Sequence, residues 1–289
     1  VSSLMAAALI VATPDAGSAT DGSSGGFFDW LFSSGPFHPP TIYEFYPDAV
    51  FFDGTIFEVN RIMMVRVVAA IVLVGIFFVV ALRARVVPRR GQALVEIVFD
   101  FIRVQVVEEV LGKKEGRRFV AFLTTLFVAI FFFNVTGVVP LLNISATSLI
   151  GLPLVMAAWV YVVYLGAGIE RHGFWGYLRT SLFPPGVPWW IYLVLTPIEF
   201  LQVFFLRPAT LTLRLTVNMM AGHLLLVLCF AGTQVLFFEA SGAIRAVGTL
   251  TLVSGFVFTV FEVFVALMQA YIFVMLSAVY LNMALADEH

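Results

Sequence analysis

The chain has 289 residues, of which 61% are hydrophobic and only 12% charged, with a net charge of −2. Soluble domains carry about a quarter charged residues, so this composition excludes an ordinary soluble protein and predicts an all-α, multi-pass membrane protein, with no nucleic-acid partner expected. The single cysteine, Cys229, excludes an intrachain disulfide and a cysteine metal cluster; in its apolar run it reads as packing.

Residues 1 to 60 contain no lysine or arginine and are expected to form an extracytoplasmic amino-terminal segment ahead of a membrane domain over 61–289. The run from Leu4 to Ala12 is apolar but lacks a preceding basic residue, so it supports a cleaved signal poorly. Residues 15 to 26, rich in Gly, Ser and Asp, read as a flexible outer stretch.

A helical crossing takes about 20 apolar residues. Ile62 to Leu82 supplies the first, with Arg66 near its start placed to snorkel outward. Between Arg83 and Arg118 lie nine basic residues, including Arg103, Lys113, Lys114 and Arg117, which makes this loop cytoplasmic by the positive-inside rule. Within it Gln92, Glu96, Asp100, Arg103 and Glu108 recur every three to five residues, predicting an amphipathic helix over 92–111 on the cytoplasmic surface. Membrane-surface packing explains that helix most simply; docking of a partner helix is the second reading.

Phe119 to Leu142 and Leu149 to Gly168 are the second and third crossings. Asn134 and Asn143 head glycosylation sequons that read as chance matches. After the tandem Trp189 and Trp190, the apolar run 190–238 would form a rod of about 70 Å, over twice the hydrocarbon thickness. It must tilt steeply, break or double back; Pro197 and Pro208 supply break points, and the expectation is a long, steeply tilted helix over 190–238. The last run, 246–286, has no proline and is expected to be one long slanted helix. About five crossings put the amino terminus outside and the carboxyl terminus in the cytoplasm; Arg171 and Arg179 agree with this, and Arg245 is a mild exception.

Arg214, Asn218, His223, Glu262 and Gln269 are polar residues within these last two runs. A charge near the bilayer centre costs about 2.5 to 3.5 kcal/mol even on the mildest scale. A buried structural pair, Arg214 with Glu262, is the plainest explanation. Helical spacing argues against it: Arg214 and Asn218 share a face while His223 points the opposite way, and Glu262, Gln269 and Tyr280 share a face of the last helix. Arginine keeps its proton and can only hold a fixed charge, whereas histidine and glutamate can relay protons. A fixed cation at mid-membrane can attract a mobile carboxylate and interrupt a proton wire.

"LRLTVNMMAGHLL" and "FEVFVALMQAYIFVMLSAVYLNM" resemble the a subunit family of F-type ATP synthases. Arg214, Asn218, Gly222 and His223 fill one family pattern, and Glu262, Gln269, Ala270 and Tyr271 fill the other. The histidine and glutamate look exchanged relative to many bacterial members and arranged as in mitochondrial ones. Asn134 to Pro140 is similar to the family's Asn-to-Pro motif, and Pro208 stands six before the arginine as in the family. Glu199 departs from the pattern, since the family's acidic residue falls one position later. The similarity covers roughly Phe119 to the carboxyl terminus.

The resemblance implies a stator proton-channel subunit of a rotary ATP synthase in the bacterial plasma membrane. Its partners would be a rotor ring of c subunits, peripheral-stalk b subunits, the soluble F1 ATPase through the complex, and the lipid bilayer. Arg214 would separate two half channels, Gln269 would position Arg214, and His223, Glu262 and Asn218 would line the proton path. Gly222, Pro208, Asn134 and Pro140 would serve helix packing. No cofactor or metal is implied, and the chain would hold no catalytic chemistry of its own.

The main rival is an autonomous proton or ion transporter using the same relay, though such folds often show paired repeats and none is evident. Retinal needs a buried lysine, yet Lys113 and Lys114 lie in the basic loop; bis-histidine haem needs two intramembrane histidines, yet only His223 qualifies. A pure scaffold would leave Arg214 unexplained.

Overall fold

The computed structural model describes residues 49–51, 59–83, 90–139, 145–183, 191–238 and 244–286, all within one compact unit, Ser34–His289. The Leu4 to Ala12 run, the Gly/Ser-rich stretch, Pro140, Asn143 and the tandem tryptophans lie outside the described residues. Helix dominates, and the strands among the described residues are a short antiparallel pair, β1 (Ala49–Phe51) with β2 (Val59–Asn60).

Helix α1 (Arg61–Leu82) follows β2 directly. Ile62, Val65, Ala69 and Leu73 form its buried stripe, while Val67, Ile71 and Val74 and most of the remainder are exposed. A helix apolar all round with only one stripe packed is suited to lipid on its other sides. Arg66 does not snorkel outward as expected. Its Nε donates to the Ala146 carbonyl at 2.8 Å and its Nη2 to the Leu149 carbonyl at 3.2 Å, so the chain's own turn supplies acceptors in place of water.

Helix α2 (Arg90–Ile102) runs on through a π-helical stretch, Arg103–Glu108, which fits the expected surface helix. Ile102, Val106, Val107 and Leu111 are buried against the chain's own core. Gln92 donates to Glu96 at 2.7 Å on the polar side. The short α3 (Gly112–Gly116) then leads into α4 (Val120–Val135).

The second crossing is shorter than expected. Helix α4 spans 16 residues, about 24 Å, and ends where polar side chains take over from the backbone ladder. Thr136 donates to the Phe133 carbonyl at 2.6 Å and accepts from the Ala146 amide at 3.1 Å, and Thr147 donates to Asn134 Oδ1 at 2.7 Å. Asn134 is fully buried in this cluster; its Oδ1 accepts from Thr147 and its Nδ2 has no partner among the described residues. Among the described residues four helical segments are long and apolar enough to cross a membrane, with α4 as a shorter fifth.

Helix α5 (Gly151–Leu182) extends beyond the expected end at Gly168 but bends at Gly173, whose φ of 73° and ψ of 164° are non-helical. Left-handed φ is open to glycine because it has no Cβ. The bend reverses the chain. On a straight helix Gly168 and Tyr177 would stand about 13 Å apart, yet a Cβ on Gly168 would come within 2.5 Å of the Tyr177 ring. Gly168→Val is therefore expected to force the returning segment off, lowering stability by about 1 to 3 kcal/mol. Thermal unfolding in detergent checks this, and an unchanged midpoint would contradict the packing.

Helix α6 (Tyr192–Leu201), a π-helical turn (Gln202–Leu206) and α7 (Arg207–Phe238) form one continuous apolar helix, 46 residues by the span Tyr192–Phe237. Pro197 and Pro208 do not break it, so of the three outcomes open to this run the long tilted helix is the one found. The Arg207 amide bonds the Gln202 carbonyl, five residues back. That wider turn lies ahead of Pro208, where the proline ring would otherwise crowd the carbonyl four residues back. With no break, a rod of about 69 Å must lie steeply tilted in a layer of about 30 Å. Helix α8 (Ile244–Leu285) has 42 residues and returns alongside it.

A candidate site of buried polar residues

Helices α7 and α8 form an antiparallel pair whose register is fixed by small side chains. Going along α7, Gly222 meets Glu262, Phe230 meets Gly255, Thr233 bonds Thr251 at 2.9 Å and Leu236 meets Gly248. Glycines on both helices let the rods approach closely, the packing that favours association in lipid.

The first polar cluster lies at mid-pair. Glu262 is 5% exposed and His223 is 8% exposed. Glu262 lies so close to Gly222 that a Cβ there would be 2.7 Å from its Oε1. Oε2 of Glu262 has no hydrogen-bond partner among the described residues, and neither does Nε2 of buried Gln269. Unsatisfied buried polar atoms are rare in folded proteins. Asn218 is half-buried, one turn before Gly222.

Arg214 is elsewhere. It is exposed on the outer face of α7, beside exposed Leu213 and Val217, and makes no ion pair or hydrogen bond among the described residues. The buried Arg214 to Glu262 pair is therefore absent: one side chain faces out and the other faces in. The register of the pair sets Arg214 level with the turn from Gln269 to Tyr271, but no hydrogen bond joins Gln269 to Arg214.

A second cluster lies toward the start of α7 and the end of α8, and the sequence reading overlooked its central residue. Arg207 is 8% exposed, with its guanidinium carbon 5.3 Å from the Tyr280 ring centroid. Tyr280 in turn packs against Tyr164, whose hydroxyl donates to the Val203 carbonyl at 3.0 Å. A cavity of about 180 Å³ is lined here by His172, Tyr177, Ser181, Glu199 and Arg207. The available signal was a second arginine in the apolar run, one residue before Pro208.

Between the clusters the buried interface is mainly apolar, with Thr212, Thr216, Gln269 and Ser277 as its buried polar residues. Leu211, Leu215 and Met219 of α7 and Ala266, Ala270, Phe273 and Val274 of α8 are buried there. Gly222 and Arg207 are 15 residues apart, about 22 Å along the helix. Thus two polar regions occupy different heights, a mainly apolar stretch that also holds Gln269 lies between them, and Arg214 faces outward at the height of that stretch. No group of three or more His, Cys, Asp or Glu residues placed to hold a metal occurs among the described residues.

Residues 62–282 match the family described as ATP synthase A chain. The chain is 44% identical over 255 residues to ATP synthase subunit a of Rhodococcus erythropolis, covering 88% of this chain and 92% of the relative. It is 36% identical to the Nocardioides protein of that name, over 83% and 87% of the two chains. For Streptomyces lividans the identity is 34%, over 80% and 81%.

Proposed function

The chain belongs to the ATP synthase A chain family, and on that premise we propose that it is the stator half of a rotary proton motor. Protons enter from outside into the cluster of His223, Glu262 and Asn218 and load a carboxylate on a rotor c subunit. After nearly a full rotation that carboxylate releases its proton into the cluster around Glu199 and Arg207, and is drawn to Arg214. A charge crossing the full potential gains about 2.3 kcal/mol per 100 mV. Coupling requires that it cannot cross without turning the rotor.

The observation that carries this reading is the division of the α7 and α8 interface. Two polar regions at different heights, with Leu211, Leu215 and Phe273 buried between them and with Arg214, which has no partner among the described residues, facing outward at that level, are what two offset half channels need. Exposure of Arg214 suits a group that meets a rotor partner rather than one within its own chain. The π turn at Gln202–Leu206 also bears on Glu199: a π turn takes up an extra residue, which compensates for the acidic residue standing one position further from the arginine. Gln269, level with Arg214, is the positioning residue in this scheme.

The amino terminus lies outside and the carboxyl terminus in the cytoplasm, with the basic loop of α2 and α3 on the cytoplasmic side. Peripheral-stalk b subunits and the F1 ATPase complete the assembly. Purifying the tagged chain from membranes in mild detergent should bring an oligomeric proteolipid ring and a soluble ATPase with it. An autonomous transporter would instead purify without them and carry protons after reconstitution alone.

A further inference from the structure

Independently of the proton path, we propose that Arg103, Lys113 and Arg117 form a binding site for the phosphate group of an anionic membrane lipid. The three side chains line one pocket of about 420 Å³, where the π-helical end of α2, the turn at Gly112 and the start of α4 meet. Its lining includes one carboxylate, Glu108, which bonds Arg103 at 3.1 Å and lies 4.0 Å from Lys113. Arg117 makes no ion pair or hydrogen bond among the described residues. Two positive charges are thus left unbalanced.

The neighbouring charges show that this excess is local. Arg118 and Arg171 are matched by Glu115 and Glu170, at 3.2 to 3.8 Å, on the side toward α5. Glu109 follows Glu108 in the chain but does not line the pocket.

A lipid headgroup fits better than a free anion because the site is amphipathic. Val107 and Val120 line the pocket beside the cations. Phe101 and Val104, on the same surface helix, stay 44% and 50% exposed and offer apolar surface to acyl chains. The pocket also adjoins the start of α4, the apolar helix leading away from this surface. Clustered basic residues on an amphipathic surface helix attract acidic lipids, each cation contributing separately.

The test uses the full chain in its native complex, reconstituted in phosphatidylcholine vesicles containing a trace of spin-labelled phosphatidylglycerol or spin-labelled phosphatidylcholine. Electron spin resonance then measures the motionally restricted fraction of each label. The wild type should restrict phosphatidylglycerol preferentially. The triple variant Arg103→Gln, Lys113→Gln, Arg117→Gln should lose about fivefold or more of that preference, with Arg103→Lys and Arg117→Lys retaining it. Glu108→Gln, which removes the carboxylate, should strengthen it and does not depend on the triple variant folding. Equal preference in all variants would overturn the proposal, as would competition by millimolar inorganic phosphate in a wild type that shows no lipid preference. Proton conductance is read separately in the same vesicles, so failure of the lipid site and failure of the proton-channel reading give different results.

Discussion

Arg214→Ala is expected to reduce ATP synthesis driven by a proton gradient to about a hundredth of the wild-type rate or less, the scale on which removing one preorganised charge acts. The structure makes this a clean test. Arg214 is exposed and makes no ion pair or hydrogen bond within the described residues, so its loss should leave the fold within about 0.5 kcal/mol of wild type. Any large effect then reports what the guanidinium does to its surroundings. Without a fixed cation at that level, a passing rotor carboxylate has nothing to hold it ionised, and the two polar regions lose the barrier between them. Membranes carrying the variant should show no coupled synthesis in a luciferase assay at normal abundance of the chain. Wild-type synthesis there would refute the role of Arg214.

The second large effect is expected at Gly222. A Cβ there would lie 2.7 Å from Glu262 Oε1 and 3.2 Å from its Cδ, so even alanine must displace the buried carboxyl group. Gly222→Ala should cut passive proton flux through vesicles stripped of F1 by about tenfold, since a misplaced relay group of this kind costs one to two orders of magnitude. Gly222→Val should also destabilise the helix pair by about 1 to 3 kcal/mol. Adding Glu262→Asp to Gly222→Ala withdraws the carboxyl by one methylene and should restore part of the flux. Unaltered flux in Gly222→Val would mean that protons do not pass by Glu262.

These two predictions concern neighbouring residues in one helix pair but rest on different sources. The expectation placed on Arg214 was legible from the chain, because a permanent charge in an apolar run is costly wherever it points. Even its direction relative to His223 followed from a rotation of 100° per residue, and the structure places one outside and the other inside. The contact of Gly222 with Glu262 was not legible: 40 residues separate them, and register between two helices is set by which small side chains interlock. The same limit hid Arg207. In sequence it is a basic residue beside a proline; in the fold it is buried over the Tyr280 ring beside a polar cavity.

Composition, the apolar runs and the helical period by themselves determined a multi-pass helical membrane protein with a surface helix and two very long final helices, because burial in lipid and backbone hydrogen bonding act on every residue locally. The tertiary structure decided how the chain treats its exceptions. Pro208, which ought to break a helix, is preceded by a wider π turn at Gln202–Leu206, α4 stops early because Thr136 and Thr147 supply competing bonds, and α5 doubles back at Gly173. Each outcome depends on a partner distant in the chain or on a backbone adjustment costing little free energy, and a linear pattern of hydrophobicity carries no information about either.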